Sequence, residues 1–221
     1  MSRSRDTTEA DLQGFAAAVA HEIRTPLSAV AGELELALRR DRSPEEYREV
    51  LRRIAAGVDE LVQISGDLAL FGDPASRSIP EAAVAPLDGV LVRIRERYSK
   101  RDDVEIAMDP STAVRVAAEE DRLLRALVLI IEHALRHRKG AGVVSLRAVP
   151  LADHRVRLLV EALPSGFWPQ AWKALADSPD GVAGPLRLRT AQRLLEGAGG
   201  RLHVAHDLGT VEVRVDLDPI P

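Results

Sequence analysis

The sequence predicts an α+β protein in two parts: an N-terminal helical hairpin that dimerises into a four-helix bundle, followed by an α/β sandwich. Three observations predict it. Apolar residues recur three or four apart from Leu12 to Leu68, the period of an amphipathic helix. That period breaks in the stretch from Phe71 to Pro80, and beyond it short alternating segments are interleaved with helical ones. Finally, 46% of the 221 residues are hydrophobic but only two Trp, two Tyr and three Phe are present. The cores must therefore be built from Ala, Leu, Val and Ile, which suits packed helices better than an all-β sandwich.

The first arm of the hairpin carries its seam on Leu12, Ala16, Val19, Ile23, Leu27, Val30, Leu34 and Ala37. The second repeats it with Tyr47, Leu51, Ile54, Val58, Leu61 and Leu68, with Ser65 in one polar slot of the pattern. Between the arms Ser43 can cap the second helix, Pro44 suits its first position, and Glu46 completes a capping box. So short a turn makes the arms antiparallel. Two helices cannot cover both apolar stripes from water, so the hairpin is expected to pair with a second copy of itself.

Gly72, Pro74, Pro80 and the intervening serines mark a linker over residues 73–85, separating a domain at 1–72 from one at 86–221. In the second domain residues 86–99 read as a helix, 104–108 and 113–116 as short strands, and 119–138 as a long apolar helix. Residues 143–149 and 155–161 alternate as strands around the turn-rich Pro150-Leu151-Ala152-Asp153-His154. A last helix, 186–196, is stopped by Gly197-Ala198-Gly199-Gly200 and followed by a hairpin at 201–206 and 210–216. Strands and helices mixed in this way predict helices on one face of a mixed sheet.

Composition narrows the function classes. With no cysteine there are no disulfides, thiolate metal sites or cysteine nucleophiles. Charges of both signs are interspersed around a net −4, which gives no nucleic-acid footprint. No apolar run approaches the length that spans a membrane, and the start, Met1-Ser2-Arg3-Ser4-Arg5-Asp6, lacks the apolar segment of a signal peptide. These features predict a cytoplasmic protein without nucleic-acid or membrane partners.

The chemistry centres on His21-Glu22-Ile23-Arg24-Thr25-Pro26-Leu27. A helical residue advances by about 100°, which puts His21 about 160° from the middle of the seam and Thr25 about 40° from His21. His21 is thus expected to face solvent. A lone exposed histidine is usually an ordinary surface residue, so it is the seven-residue setting that points to phosphoryl transfer. Model imidazole titrates near pH ~6.5, so an exposed histidine side chain is largely the neutral nucleophile at neutral pH. A carboxylate at Glu22 could fix the ring tautomer and steady the charge that develops during attack. Pro26 removes a helical hydrogen bond and predicts a bend beside His21. Small residues below His21 on the same face, Thr25, Ser28 and Gly32, together with Arg24, would let another protein approach closely.

This run resembles the H-box of two-component histidine kinases, in which the matching histidine accepts a phosphoryl group within a dimeric four-helix bundle. The resemblance implies that His21 is the phosphoacceptor and that Glu22 assists transfer. It also implies that Thr25 positions water for dephosphorylating a partner receiver. After residue 86 the order of elements resembles the ATP-binding domain shared by histidine kinases, gyrase and Hsp90-type chaperones. Here the motifs depart from the family. His133 stands where an asparagine should hold magnesium, although magnesium prefers oxygen ligands. Leu129 replaces the preceding asparagine. The Asp-x-Gly-x-Gly turn reads Glu161-Ala162-Leu163-Pro164-Ser165-Gly166, with Glu161 a longer carboxylate near the place of the adenine-reading aspartate. The second glycine box reads Gly184-Pro185-Leu186-Arg187-Leu188, where proline has no amide to offer a phosphate and Arg187 could supply charge. The expectation is a retained fold without stable ATP binding and with no cofactor or metal of its own. His133 and His137, four apart, are expected at the surface or helix end, and Trp168 and Trp172, also four apart, in a helical core or docking contact.

Three functions follow. The favoured one is a dimeric histidine phosphotransferase of a phosphorelay that carries phosphate on His21 between receiver aspartates. Its partners are response-regulator receiver domains and a hybrid histidine kinase, and the magnesium is supplied by the receiver. The alternative is an ATP-dependent histidine kinase with divergent nucleotide boxes, which ATP binding would distinguish. The third is a pseudokinase that sequesters a kinase or response regulator, for which His21→Ala would leave the biological effect intact. Receiver phosphatase activity through Thr25 is compatible with either enzyme.

Overall fold

The computed structural model describes residues 3–72, 84–107, 114–151, 155–163, 166–167, 172–173, 185–196, 198–207 and 210–217. The chain divides into two compact units, Met1–Leu70 and Phe71–Pro221. Most of the linker expected at 73–85 lies outside the described residues.

The first unit is the helical hairpin, α1 (Arg3–Leu38) and α2 (Pro44–Gly72). Its turn is fixed by the capping box that Ser43 and Glu46 allow. The Glu46 amide donates to Ser43 Oγ at 3.2 Å, and the Ser43 amide donates to the Glu46 carboxylate at 2.9 Å, satisfying two otherwise orphaned donors. This amide bond, more than any other group, holds the Glu46 carboxyl below its usual range. Across the hairpin, Arg53 grips the Glu33 carboxylate with two bonds of 2.9 Å, and Gly57 lies against Val30. As the position falls on α1 it rises on α2, so the helices are antiparallel. α1 continues through Pro26 without interruption.

Only part of the apolar seam is covered within one protomer. Val19, Pro26 and Ala37 on α1 and Val50 and Ile64 on α2 are buried, whereas Leu27, Leu34, Leu51, Val58 and Leu68 remain exposed. The cause is geometric: two helices meet along one line, and the other flank of each stripe needs further helices. The side chain of Leu12 lies outside the described residues.

The second unit has the elements β1 (Ala85–Pro86), α3 (Leu87–Arg97), β2 (Val104–Ala107), β3 (Arg115–Val116) and α4 (Glu120–His137). These are followed by β4 (Val143–Pro150), β5 (Val156–Leu163), α5 (Leu186–Glu196), β6 (Gly200–Asp207) and β7 (Thr210–Leu217). Strands β1 and β3 form a small antiparallel pair. The main sheet has the order β2-β4-β5-β7-β6, with β2 parallel to β4 and every other neighbour antiparallel. It is therefore the expected mixed sheet. Alternate strand residues, among them Leu146, Leu158, Val160, Val213 and Val215, join Leu127, Ile130, Ala134, Leu188 and Leu195 of α4 and α5 in one buried core. The opposite sheet face carries charge: Arg157 and Asp216, register partners across β5 and β7, are joined by bonds of 2.6 and 2.9 Å. α5 stops where the glycines predict it, with Gly199 at φ 68° and its amide on the Glu196 carbonyl. β1 escapes sequence reading because two residues ending in a proline carry no alternation.

Candidate functional site

The H-box lies on the middle turns of α1. His21, Arg24, Thr25 and Ser28 are exposed, Glu22 is half-buried, and Pro26 is buried beneath them. This division follows from the helical period, since Pro26 falls on the seam and His21 on the opposite side. The Thr25 hydroxyl donates to the backbone carbonyl of His21 at 3.1 Å. Its lone pairs are left to accept from water. Farther down the same face, the space above Gly32 is open, with nothing within 4 Å of where a Cβ would stand. His21, Thr25, Ser28 and Gly32 thus form a low strip with an imidazole at one end, a surface on which a nucleophile can be reached by a second protein.

The residues expected near a nucleotide behave differently. His133 is only 4% exposed, a correction to its placement at the surface or helix end. It is buried because an aromatic cluster closes over it: its ring centroid lies 4.6 Å from Trp172 in an edge-on contact and 4.3 Å from His137. Phe167 packs 5.1 Å from Trp172, and both are fully buried. Trp172 is thus a core residue, while Trp168 lies outside the described residues. The Trp172 indole N–H is buried with no hydrogen-bond partner among the described residues.

Glu161, the carboxylate near the place of the missing aspartate, is engaged on the sheet. It accepts from Arg147 at 2.9 Å on the sheet face away from the helices, and the inward position beside it is the buried Ala162. Strand alternation forces this, because neighbouring residues point to opposite faces. Leu129 is buried, Pro185 and Leu186 open α5, and Arg187 is 8% exposed and so not an open phosphate hook. Gly184, Pro164 and Ser165 lie outside the described residues. Among the described residues no three of His, Asp or Glu gather in a way that could hold a metal ion. The His133 imidazole, buried against the Trp172 indole, is not an oxygen donor of the kind that magnesium prefers.

Two features of the hairpin are not singled out by the sequence. Asp67 is buried on α2, and Gly57 lies opposite Pro26 and Val30. A glycine in mid-helix is the one sequence signal that could have found the second.

Residues 11–75 match the family of the His Kinase A (phospho-acceptor) domain. Similar curated proteins include the sensor histidine kinase ZraS of Salmonella typhimurium, 24% identical over 196 residues that cover 86% of this chain and 42% of the relative. The probable sensor histidine kinase TcrY of Mycobacterium tuberculosis is 24% identical, over 97% of this chain and 48% of its own length. The sensor histidine kinase CusS of Escherichia coli is 28% identical, over 91% and 42%. The chain spans less than half the length of these relatives.

Among solved structures, histidine kinase ThkA in complex with response regulator protein TrrA superposes with a TM-score of 0.69 at 16% identity, covering 99% of this chain and 65% of that one. Histidine kinase AdeS of Acinetobacter baumannii gives 0.60 at 15%, covering 91% and 98%. The fold is that of a histidine-kinase phosphoacceptor hairpin and catalytic domain. The chain is accordingly histidine-kinase-like in fold, with a phospho-acceptor family match over residues 11–75. These named relatives are sensor kinases, so the comparisons favour the kinase alternative over the stand-alone phosphotransferase. Among the described residues no helix is long and apolar enough to cross a membrane.

Proposed function

We propose that this chain is the phosphoryl-transfer portion of a two-component signalling protein, a homodimer in which His21 takes a phosphoryl group and passes it to a receiver aspartate. The observation that carries this is the exposed His21 within its seven-residue motif, on the helix matched to the phospho-acceptor family. An imidazole nitrogen attacks phosphorus, an N–P bond forms as the donor's P–O bond breaks, and the ring proton stays on the other nitrogen. The neighbouring Glu22 carboxylate steadies that cationic ring in this reading. In the second transfer the receiver's aspartate oxygen attacks phosphorus, the N–P bond breaks and the imidazole returns to neutrality. The exposed apolar flank of the hairpin supports the dimer, and the strip formed by Arg24, Ser28 and Gly32 supports receiver docking.

For the donor, two readings have support. The sensor kinases among the relatives favour ATP. The chain's own residues weigh against ATP, which leaves a phosphorylated receiver with its own magnesium as the donor: His133 is packed on Trp172, Glu161 is engaged by Arg147, and position 185 is a proline with no amide N–H. At 24% identity a fold carries over more securely than a ligand, so we give the residues greater weight. Purified protein incubated in parallel with labelled magnesium-ATP and with a labelled receiver domain decides between them, with His21→Ala as control. Label from the receiver alone supports the phosphotransferase. Label from ATP establishes the kinase and leaves His21 as acceptor.

A further inference from the structure

We propose that Gly57 is a positioning residue for phosphoryl transfer: its missing side chain lets α2 lie against the Pro26–Val30 turn and so sets where the His21 turn stands. The inference rests on the assignment of His21 as phosphoacceptor. A Cβ placed on Gly57 would lie 2.5 Å from Val30 Cγ2 and 3.7 Å from the Pro26 carbonyl oxygen. The first distance is one that real Cβ atoms do not tolerate, and the obstructing atom cannot swing aside. Valine is branched at Cβ and holds essentially one χ1 rotamer in a helix, so relief must come from moving a helix.

Among the described glycines of the hairpin this closeness is particular to one place. At Gly32 and Gly66 nothing lies within 4 Å of an added Cβ. A mid-helix glycine costs about 1 kcal/mol relative to alanine, and at Gly57 close helix contact offsets that cost.

The location gives the contact its consequence. Pro26 has no N–H to donate to the Glu22 carbonyl, so the turn carrying His21 has less internal support than the rest of α1. Its placement depends correspondingly more on what Pro26 packs against. One turn farther along, the two bonds of 2.9 Å between Arg53 and Glu33 fix the register of the helices. Gly57 is thus a close contact beside the turn that carries Pro26, and a larger residue there lifts α1 next to His21.

The test uses full-length Gly57→Ala, Val30→Ala and the double variant, assayed for transfer from a phosphorylated receiver domain. Chemical phosphorylation by phosphoramidate serves as a partner-free measure of imidazole reactivity. A misplacement near 1 Å can cost about 100-fold in rate, so Gly57→Ala is expected to slow protein-mediated transfer by about tenfold or more while its phosphoramidate reaction stays at the wild-type rate. Adding Val30→Ala removes the obstructing methyl and restores transfer to near wild type. If Gly57→Ala does not fold, the double variant carries the test: rapid transfer supports the proposal and slow transfer overturns it. Wild-type transfer by Gly57→Ala, or a double variant no faster than the single, also overturns it. A wild-type protein that takes no label on His21 from either a receiver domain or magnesium-ATP would instead refute the parent assignment.

Discussion

The Thr25 hydroxyl donates to the backbone carbonyl of His21 at 3.1 Å, which ties the two polar ends of the H-box across a single helical turn. The bond is local to α1, so it does not depend on a partner, and it holds Thr25 Oγ1 on the same exposed strip as the imidazole. An oxygen so placed accepts from a water near a docked receiver. Thr25→Ala is expected to keep phosphoryl acceptance on His21 but to lose acceleration of receiver dephosphorylation, whereas Thr25→Ser keeps both. Thermal stability should stay within about 0.5 kcal/mol of wild type, because an exposed helical threonine gives way to a better helix former. The check is the decay of labelled receiver with each variant.

The open flank of the hairpin makes an assembly prediction. Leu51 and Val62 are 61% and 65% exposed in one protomer, although both belong to a largely apolar helix stripe. Leu51→Glu combined with Val62→Glu should convert a dimer into a monomer with reduced helicity. Light scattering and circular dichroism check this, and an unchanged dimer mass would place the interface elsewhere.

The turn between the arms supplies a local test. Ser43→Ala removes the acceptor for the Glu46 amide, and loss of such a cap costs about 1 kcal/mol. Denaturant unfolding should show that loss, while the rate of labelling at His21 changes little because the turn is remote from it.

These tests rest on features that differ in how far they can be read before folding. The hairpin, its capping box and the exposure of His21 are legible because each follows from spacing along one helix. Register within the hairpin is not, since the Gly57–Val30 contact depends on which flank of each stripe faces the other helix. In the second unit the strand periods are legible and their faces are not. Glu161 reads in sequence as a longer carboxylate near the place of a missing aspartate, and only the strand alternation places it outward against Arg147. His133 looks like a helix-end residue because its cover, Trp172, is 39 positions away in sequence. Burial decided by distant residues leaves little local trace.

The sheet surface gives a pH prediction. Arg157 bonds chiefly hold the Asp216 carboxyl below its ordinary range. A lowered folded-state value means that the pair's stabilisation is complete above the unfolded carboxyl value of about 3.9 and is lost as pH falls through the folded value. Wild type should therefore melt above Asp216→Asn near pH 7, and the difference should shrink steadily below about pH 4. A gap independent of pH would show that the asparagine variant suffers from something other than the lost ion pair.

The most direct test of the central claim is to locate the phosphoryl group on the protein. After incubation with labelled receiver and, separately, labelled magnesium-ATP, the account predicts an acid-labile, base-stable phosphate that peptide mapping places on His21 and that disappears in His21→Ala. Label that persists in His21→Ala, or maps to another residue, would contradict it.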